Sequence, residues 1–273
     1  MKRALRRPRP VAGRDPLFNS SVEKALAILE AFNGGRSLTL TALAAGAGMT
    51  TSSAQRCTHT LVRLGYLKRN ALLRRWMLTA RALRLAEAYL SGHVLLEQAT
   101  THLIDLNQAS GESVSLSEPD GLDMVFIARF PSLKRFYIHM PVGRRLPMYC
   151  TASGRAYLSA LPPSQARRIL GRSRAAALTP TTLTDPQQIW RRVEAARESG
   201  YAWSDQEFYR GDLTIAAPIL GEDGQPLAAV NISAPTSRWT LAQLRAKLAP
   251  LLLQSAQAAS LGYTMRSQRR VTK

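Results

Sequence analysis

The chain has 273 residues, 45% hydrophobic and 20% charged, an ordinary globular composition that excludes a wholly disordered protein and, at about 150 residues per domain, suggests two domains. Its 37 Lys and Arg face 18 Asp and Glu, for a net charge of +19, and the excess is uneven. Residues 1–91 carry 16 basic and 4 acidic side chains, residues 92–263 carry 17 and 14, and the last ten residues add Arg266, Arg269, Arg270 and Lys273 without an acid. A basic front and tail on a nearly neutral body point to a polyanion bound at one end. A generally Arg-rich composition is the plainer explanation, and the mild charge of the body weighs against it. Cys57 and Cys150 have no second thiol or His at ligand spacing, so neither a disulfide framework nor a zinc site is expected. Met1–Pro10 is charged and Pro-rich, unlike a signal peptide, and no run approaches the roughly 20 apolar residues of a membrane helix; the expected compartment is the reducing cytoplasm.

Residues 1–17 read as a disordered basic arm, since Arg repulsion and prolines oppose packing. Ser20-Ser21-Val22-Glu23 resembles a capping box, and Val22, Leu26, Ile28, Leu29 and Phe32 give a helical apolar face that Gly34-Gly35 ends. A second short helix is expected from Thr41, stopping at Gly46-Ala47-Gly48, and a third from Thr50 to Gly65, with Leu61 and Leu64 packed behind its polar face. Tyr66–Asn70 and Leu73–Leu78 read as two strands joined around Asn70 and Ala71. Three helices and a basic hairpin predict a winged helix-turn-helix over residues 18–79. Residues 80–93 follow as a linker helix capped by Thr79, and residues 94–263 as an α+β domain, with a basic tail over 264–273. Within the second domain, helices are expected at Val94–Ala109, Gly154–Leu161, Pro163–Leu170, Gln187–Ser199 and Leu241–Leu261. Strands are expected at Val114–Leu116, Asp123–Ala128, Phe136–Ile138, Leu213–Ile219 and Leu227–Ile232.

In a helix-turn-helix the first turns of the last helix enter the major groove. Here they carry Thr50, Thr51, Ser52, Ser53, Gln55, Arg56 and His59. Gln pairs bidentately with adenine and Arg with guanine, whereas hydroxyls at a helix start more often hold phosphate. A merely solvated polar face is the alternative for any one of them. Lys68, Arg69, Arg74 and Arg75 on the hairpin suit phosphate or the minor groove, and Arg81 and Arg84 on the linker are either further contacts or surface charges.

The order of segments and several motifs resemble the IclR family of bacterial transcriptional regulators. The matching stretches are Ser21–Leu29, Thr51–Tyr66, Val142–Pro147 with Cys150–Leu158, and Gly200–Glu207 leading to Ile215-Ala216-Ala217-Pro218. The resemblance implies a GAF-like effector domain after the winged helix, and dimers that pair into tetramers on operator DNA. It also implies a ligand pocket lined by Met148, Tyr149, Cys150, Thr151, Ala152, Ser153 and Gly154, by Ser204 and Asp205, and by Thr214, Asn231 and Ser233. Two departures stand out: Ser204 replaces a frequent acid, and Gly211-Asp212-Leu213-Thr214 replaces Gly-Leu-Arg-Cys. Members similar in the Arg-Arg-Leu-Pro and Asp-Gln-Glu stretches control aromatic-compound catabolism, which makes an aromatic acid the expected ligand.

The residues themselves suit a small carboxylate. A Cys150–Gly154 turn at a helix start presents N–H groups, Thr151, Ser153, Asn231 and Ser233 add neutral donors, and Met148, Tyr149, Phe126, Phe136 and Trp203 are candidates to cover a ring or simply to fill the core. Two other classes are open to this sequence. An enzyme in the second domain has only Cys150 with His139, or Asp205 with Glu207, to work with, and no Gly-rich phosphate loop, Ser elbow or His pair. An architectural nucleic-acid-binding protein explains the charge but leaves the second domain idle. The expectation is a non-enzymatic, ligand-responsive regulator with no cofactor and no metal, a homodimer or homotetramer whose effector alters the placement of paired winged helices through the linker.

Overall fold

The computed structural model describes residues 16–32, 37–134, 138 and 140–271, residues 264–271 by backbone alone. Residues 1–15 of the proposed arm over 1–17, Gly34-Gly35, Phe136 and His139 lie outside the described residues. The chain divides into two compact units, Met1–Gly92 and His93–Lys273.

The first unit contains α1 (Ser20–Glu30), β1 (Leu38–Thr39), α2 (Leu40–Gly46), α3 (Thr51–Arg63), β2 (Leu67–Asn70), β3 (Arg75–Leu78), a 3-10 turn at Ala80–Ala82 and α4 (Leu83–Ser91). Asn19, not a Ser20–Glu23 box, caps α1: its Oδ1 accepts from the N–H of Ser21 at 3.0 Å and of Val22 at 3.3 Å. Ile28, Phe32, Leu43, Ala44, Ala54, Leu61, Leu67 and Trp76 form one core. Leu64 does not join it and is 52% exposed, because α3 ends one residue earlier and Leu64 becomes its cap.

Both helices of the helix-turn-helix end in the same way. Gly48 (φ 58°) and Gly65 (φ 78°) take the left-handed conformation. Their N–H groups donate to Ala45 O and Val62 O, while the next residues, Met49 and Tyr66, donate to Ala44 O and Leu61 O. This double bond pattern turns the chain sharply after each helix, and glycine adopts its backbone angle without a Cβ penalty. Antiparallel strands in the order β1-β3-β2 build the wing, with Arg69 opposite Trp76 and its guanidinium 5.2 Å from the indole centre. Thr79 donates to Gly65 O at 2.6 Å and caps the following turn through Arg81 N, which anchors the exit of the wing.

The second unit contains α5 (Val94–Ser110), β4 (Ser113–Asp120), β5 (Asp123–Phe130), β6 (Arg145–Pro147), α6 (Ala152–Ala160), α7 (Pro163–Arg172), α8 (Pro186–Ser199), β7 (Ala202–Asp205), β8 (Asp212–Leu220), β9 (Pro226–Pro235) and α9 (Leu241–Val271). The strands β6 and β7 are not among the expected elements, and α9 continues past the expected end at Leu261 into the proposed tail. Six strands form one antiparallel sheet in the order β6-β5-β4-β9-β8-β7.

The register sorts the side chains by face. Val114, Ile232 and Ile215 stand in one row and Leu116, Val230 and Ala217 in the next, an apolar face beneath α5 and α9. On the opposite face Ser115, Asn231, Ala216 and Ala202 make one row, and Ser113, Ser233, Thr214 and Ser204 the adjacent one. Small residues there let α6 lie close, with Ala152 and Ala156 clustered against Ala202, Ala216 and Ala229. Where the alanines give way to hydroxyls and an amide, the floor of a cavity begins.

Candidate functional site

On α3, Thr50 is the N-cap: its Oγ1 accepts from Ser53 N at 3.3 Å, and its hydroxyl bonds Ser53 Oγ at 3.1 Å. Ala54, Thr58 and Leu61 turn inward, while Thr51, Ser52, Gln55, Arg56 and His59 are exposed on the other side. Thus five of the seven proposed base readers share a free helix face. Thr50 and Ser53 are engaged with each other at its N-terminus. Arg63, one turn beyond His59, is exposed too and extends the face with a cation not among the expected contacts. On the wing, Lys68, Arg69, Arg74 and Arg75 are all exposed; Arg69 rests on Trp76, and Arg75 donates to Ser37 O at 3.2 Å. Arg74 holds a left-handed φ of 47° in the turn, where Asn70 Oδ1 accepts from Leu73 N at 2.9 Å. Arg81 is held over the Tyr66 ring and Arg84 is exposed.

In the second unit a cavity lies between the polar rows of the sheet and the start of α6. It is partly open to solvent, and its lining includes Thr151, Ala152, Ser153, Ser204, Thr214, Asn231 and Ser233. These residues come from α6, β7, β8 and β9, and only the sheet register unites them. Ser153 donates to Asn231 Oδ1 at 3.3 Å, Thr151 caps α6 through Gly154 N, and Ser204 donates to Cys150 O at 3.1 Å.

Five of the expected pocket residues lie elsewhere. Met148 is buried in the apolar cluster under α6. Tyr149 and Cys150 pack with Ile189, and the Tyr149 hydroxyl donates to Ala176 O at 2.7 Å. A Cβ on Gly154 would stand 2.2 Å from Met148 Cα, so this glycine permits the close approach of α6 to the preceding turn and touches no cavity. Asp205 alternates away from Ser204, its carboxylate accepting from Gln206 Nε2. Trp203 points the same outward way, with the Arg192 guanidinium 3.6 Å from its ring. Phe126 is both core and cavity wall.

Arg129, Asp212, Met140, Leu146, Phe208 and Tyr209 also line the cavity and were absent from the sequence-based list. Arg129 donates to Ser115 Oγ at 3.0 Å and to Ile138 O at 2.6 Å. Asp212 accepts from Ser233 at 2.6 Å and from Thr214 at 3.1 Å, and burial pushes its pKa up to about 6, against the lowering effects of those two hydroxyls and of Arg129. The pairing of Ser113, Ser115 and Ser117 with apolar neighbours on β4 was the available signal, since polar residues at period two in a buried strand mark a polar-lined face.

Of the two enzymatic arrangements, Cys150 with His139 includes a residue outside the described ones, and Asp205 with Glu207 has both carboxylates engaged by neighbouring side chains. Cys150 is fully buried, and Glu207 is closed into a bidentate pair with Arg155 at 2.6 and 2.7 Å.

Residues 21–71 match the model of the IclR helix-turn-helix domain, and residues 87–261 that of the bacterial transcriptional regulator IclR C-terminal domain. The chain belongs to the IclR family of bacterial transcriptional regulators. This IclR regulator is 34% identical over 245 residues to the Pca regulon regulatory protein of Pseudomonas putida, covering 89% of this chain and 84% of that one. It is 31% identical to the p-hydroxybenzoate hydroxylase transcriptional activator of Acinetobacter baylyi, over 88% of this chain and 90% of the other. A crystal structure of a transcriptional regulator from Rhodococcus sp. RHA1 superposes with a TM-score of 0.75 at 34% identity, covering 90% of this chain and 98% of that one. Among the described residues of this IclR-family chain, no helix is long and apolar enough to cross a membrane.

Proposed function

We propose that this regulator reads operator DNA with the α3 face of Ser52, Gln55, Arg56 and His59, grips phosphates with Lys68, Arg69, Arg74 and Arg75, and responds to a small carboxylate in the α6 cavity. The observation that supports the ligand class is the chemistry of one row of the sheet. Arg129, Ser115 and Asn231 stand side by side on β5, β4 and β9, Ser153 reaches Asn231 from above, and Thr151, Ala152 and Ser153, where α6 begins, line the same cavity. A cation, neutral donors and a helix N-terminus together favour an anion. Phe126, Met140, Leu146 and Phe208 supply apolar walls suited to a ring. One relative is named as activator of p-hydroxybenzoate hydroxylase, which favours an aromatic acid over a short aliphatic one.

The same reading includes self-association in the cytoplasm. No residue of α4 is buried, and it displays Leu83, Leu85 and Tyr89; α1 and the turn before it display Phe18, Val22 and Leu26 at helical spacing. Apolar faces of this kind in a DNA-binding unit are suited to a second copy, and a two-fold dimer meets half-sites about one DNA turn apart. A dimer of dimers would double the number of sites met.

A thermal-shift screen of aromatic and aliphatic carboxylates, followed by gel shifts on DNA flanking the gene, tests the sensing role. The expected result is that aromatic acids raise Tm and change operator affinity; the absence of both effects refutes it. Arg56→Ala is expected to abolish specific binding while sparing oligomeric state and ligand affinity, and unchanged operator affinity would refute the assignment of α3.

A further inference from the structure

The cavity has a second pole that a carboxylate ligand does not use. Asp212 opens β8 on the same face as Thr214, and it is 8% exposed. One of its oxygens accepts from Ser233 and the other from Thr214, both neutral hydroxyls, and the charge of Arg129 also acts on it. An ionised carboxylate offers about four lone-pair sites, so this one is left with unused acceptor capacity inside a cavity. Burial of a charge on two neutral hydrogen bonds is unfavourable, consistent with the raised pKa of about 6. A further donor entering the cavity would relieve it.

The direction of that donor follows from the sheet. Arg129 is on β5 and Asp212 on β8, three strand spacings apart in the order β5-β4-β9-β8, or about 14 Å between backbones. The anion-favouring row lies on the Arg129 side, while Asp212 lies beyond the Ser233–Thr214 row at the other end. A ligand with its carboxylate at the positive pole therefore directs its far end to an acceptor. An apolar far end would strip water from Asp212 and give nothing back.

Resting on the reading of this cavity as the ligand site, we propose that Asp212 sets the ligand class by accepting a hydrogen bond from a hydroxyl at the end of the ligand opposite its carboxylate. The site then selects hydroxylated acids over unsubstituted ones of the same length.

Titration calorimetry of the full-length protein at pH 7.5 tests this with 4-hydroxybenzoate, 4-methoxybenzoate and benzoate, and with 6-hydroxyhexanoate beside hexanoate. The wild type is expected to bind the hydroxylated member of at least one set about 10- to 100-fold more tightly than its counterparts, the range of a hydrogen bond to a charged partner. Asp212→Leu should reduce that preference to less than about threefold. Asp212→Asn, which keeps the shape and a weaker acceptor, should leave an intermediate preference and decides the matter if the leucine variant does not fold. A wild type without preference, or a preference undiminished in the variants, overturns the role of Asp212 while the cavity remains a carboxylate site. If none of the five acids binds, the reading of the cavity fails and the proposal with it.

Discussion

Two buried carboxylates of the second unit respond to pH in opposite directions. The folded-state pKa of Asp212, about 6, is above its ordinary 3.8, so its contribution to stability is complete below the ordinary value and is lost as pH rises through about 6. Asp212→Asn is therefore expected to raise stability at pH 7.5, by at most about 3 kcal/mol, and to change little at pH 4; paired thermal melts at the two pH values check this. For Glu112, burial pushes the pKa up, but hydrogen bonds from Arg238, Lys134 and Trp239 overcome it and hold the group below 4.5. Its contribution is present above that value and is lost as pH falls, so Glu112→Gln should destabilise at pH 7.5 and progressively less in acid. The Arg155–Glu207 pair carries a different expectation. Arg155 also donates to Tyr149 O, and Glu207 accepts from Leu183 N, so the pair ties α6 to two loops. Arg155→Met leaves Glu207 buried without a cation and should cost about 3–5 kcal/mol by urea unfolding, with much of the loss recovered in the double variant Arg155→Met/Glu207→Leu. A double variant as unstable as the single one would show that the loss is one of shape, not charge.

At the scale of elements, α6 depends on a close approach. With Gly154 against the Met148 backbone, Gly154→Ala forces the helix off its seat and should cost at least about 3 kcal/mol, together with loss of acid binding, because Ala152 and Ser153 move with it. Calorimetric melting with and without ligand separates the two effects. The wing behaves otherwise. Arg75→Ala removes one charge from an exposed strand, so it should weaken binding to specific and random DNA alike and lower the salt slope of binding by about one unit, whereas Arg56→Ala should act on the specific site alone. Most elements were legible in the sequence: α3, α5 and α8 follow from apolar spacing, and the two helix-ending glycines marked where α2 and α3 stop. The edge strands β6 and β7 were not. With three and four residues, they carry no period of their own and exist because β5 and β8 offer them partners.

For the whole molecule, the division into two compact units predicts separable behaviour. A fragment from His93 onward is expected to fold and to bind the acid with the full-length affinity while losing all operator binding; circular dichroism, calorimetry and gel shifts on the fragment check each point. What the sequence determined by itself was everything written in local terms: the charge asymmetry, the helix-turn-helix with its basic wing, and the motifs that carry the family resemblance, because spacing along one chain segment suffices to place a helix face. The lining of the cavity was legible only in part. Thr151, Ala152, Ser153, Ser204, Thr214, Asn231 and Ser233 were named through the resemblance, but Met148, Tyr149, Cys150, Gly154 and Asp205 came with them and serve the core, the turn or the loop instead. Arg129 and Asp212 became visible only in the fold. Strands far apart in sequence had to come into register before a cation on β5 and a carboxylate on β8 faced one cavity, and nothing within either strand distinguishes such a charge from one that faces water.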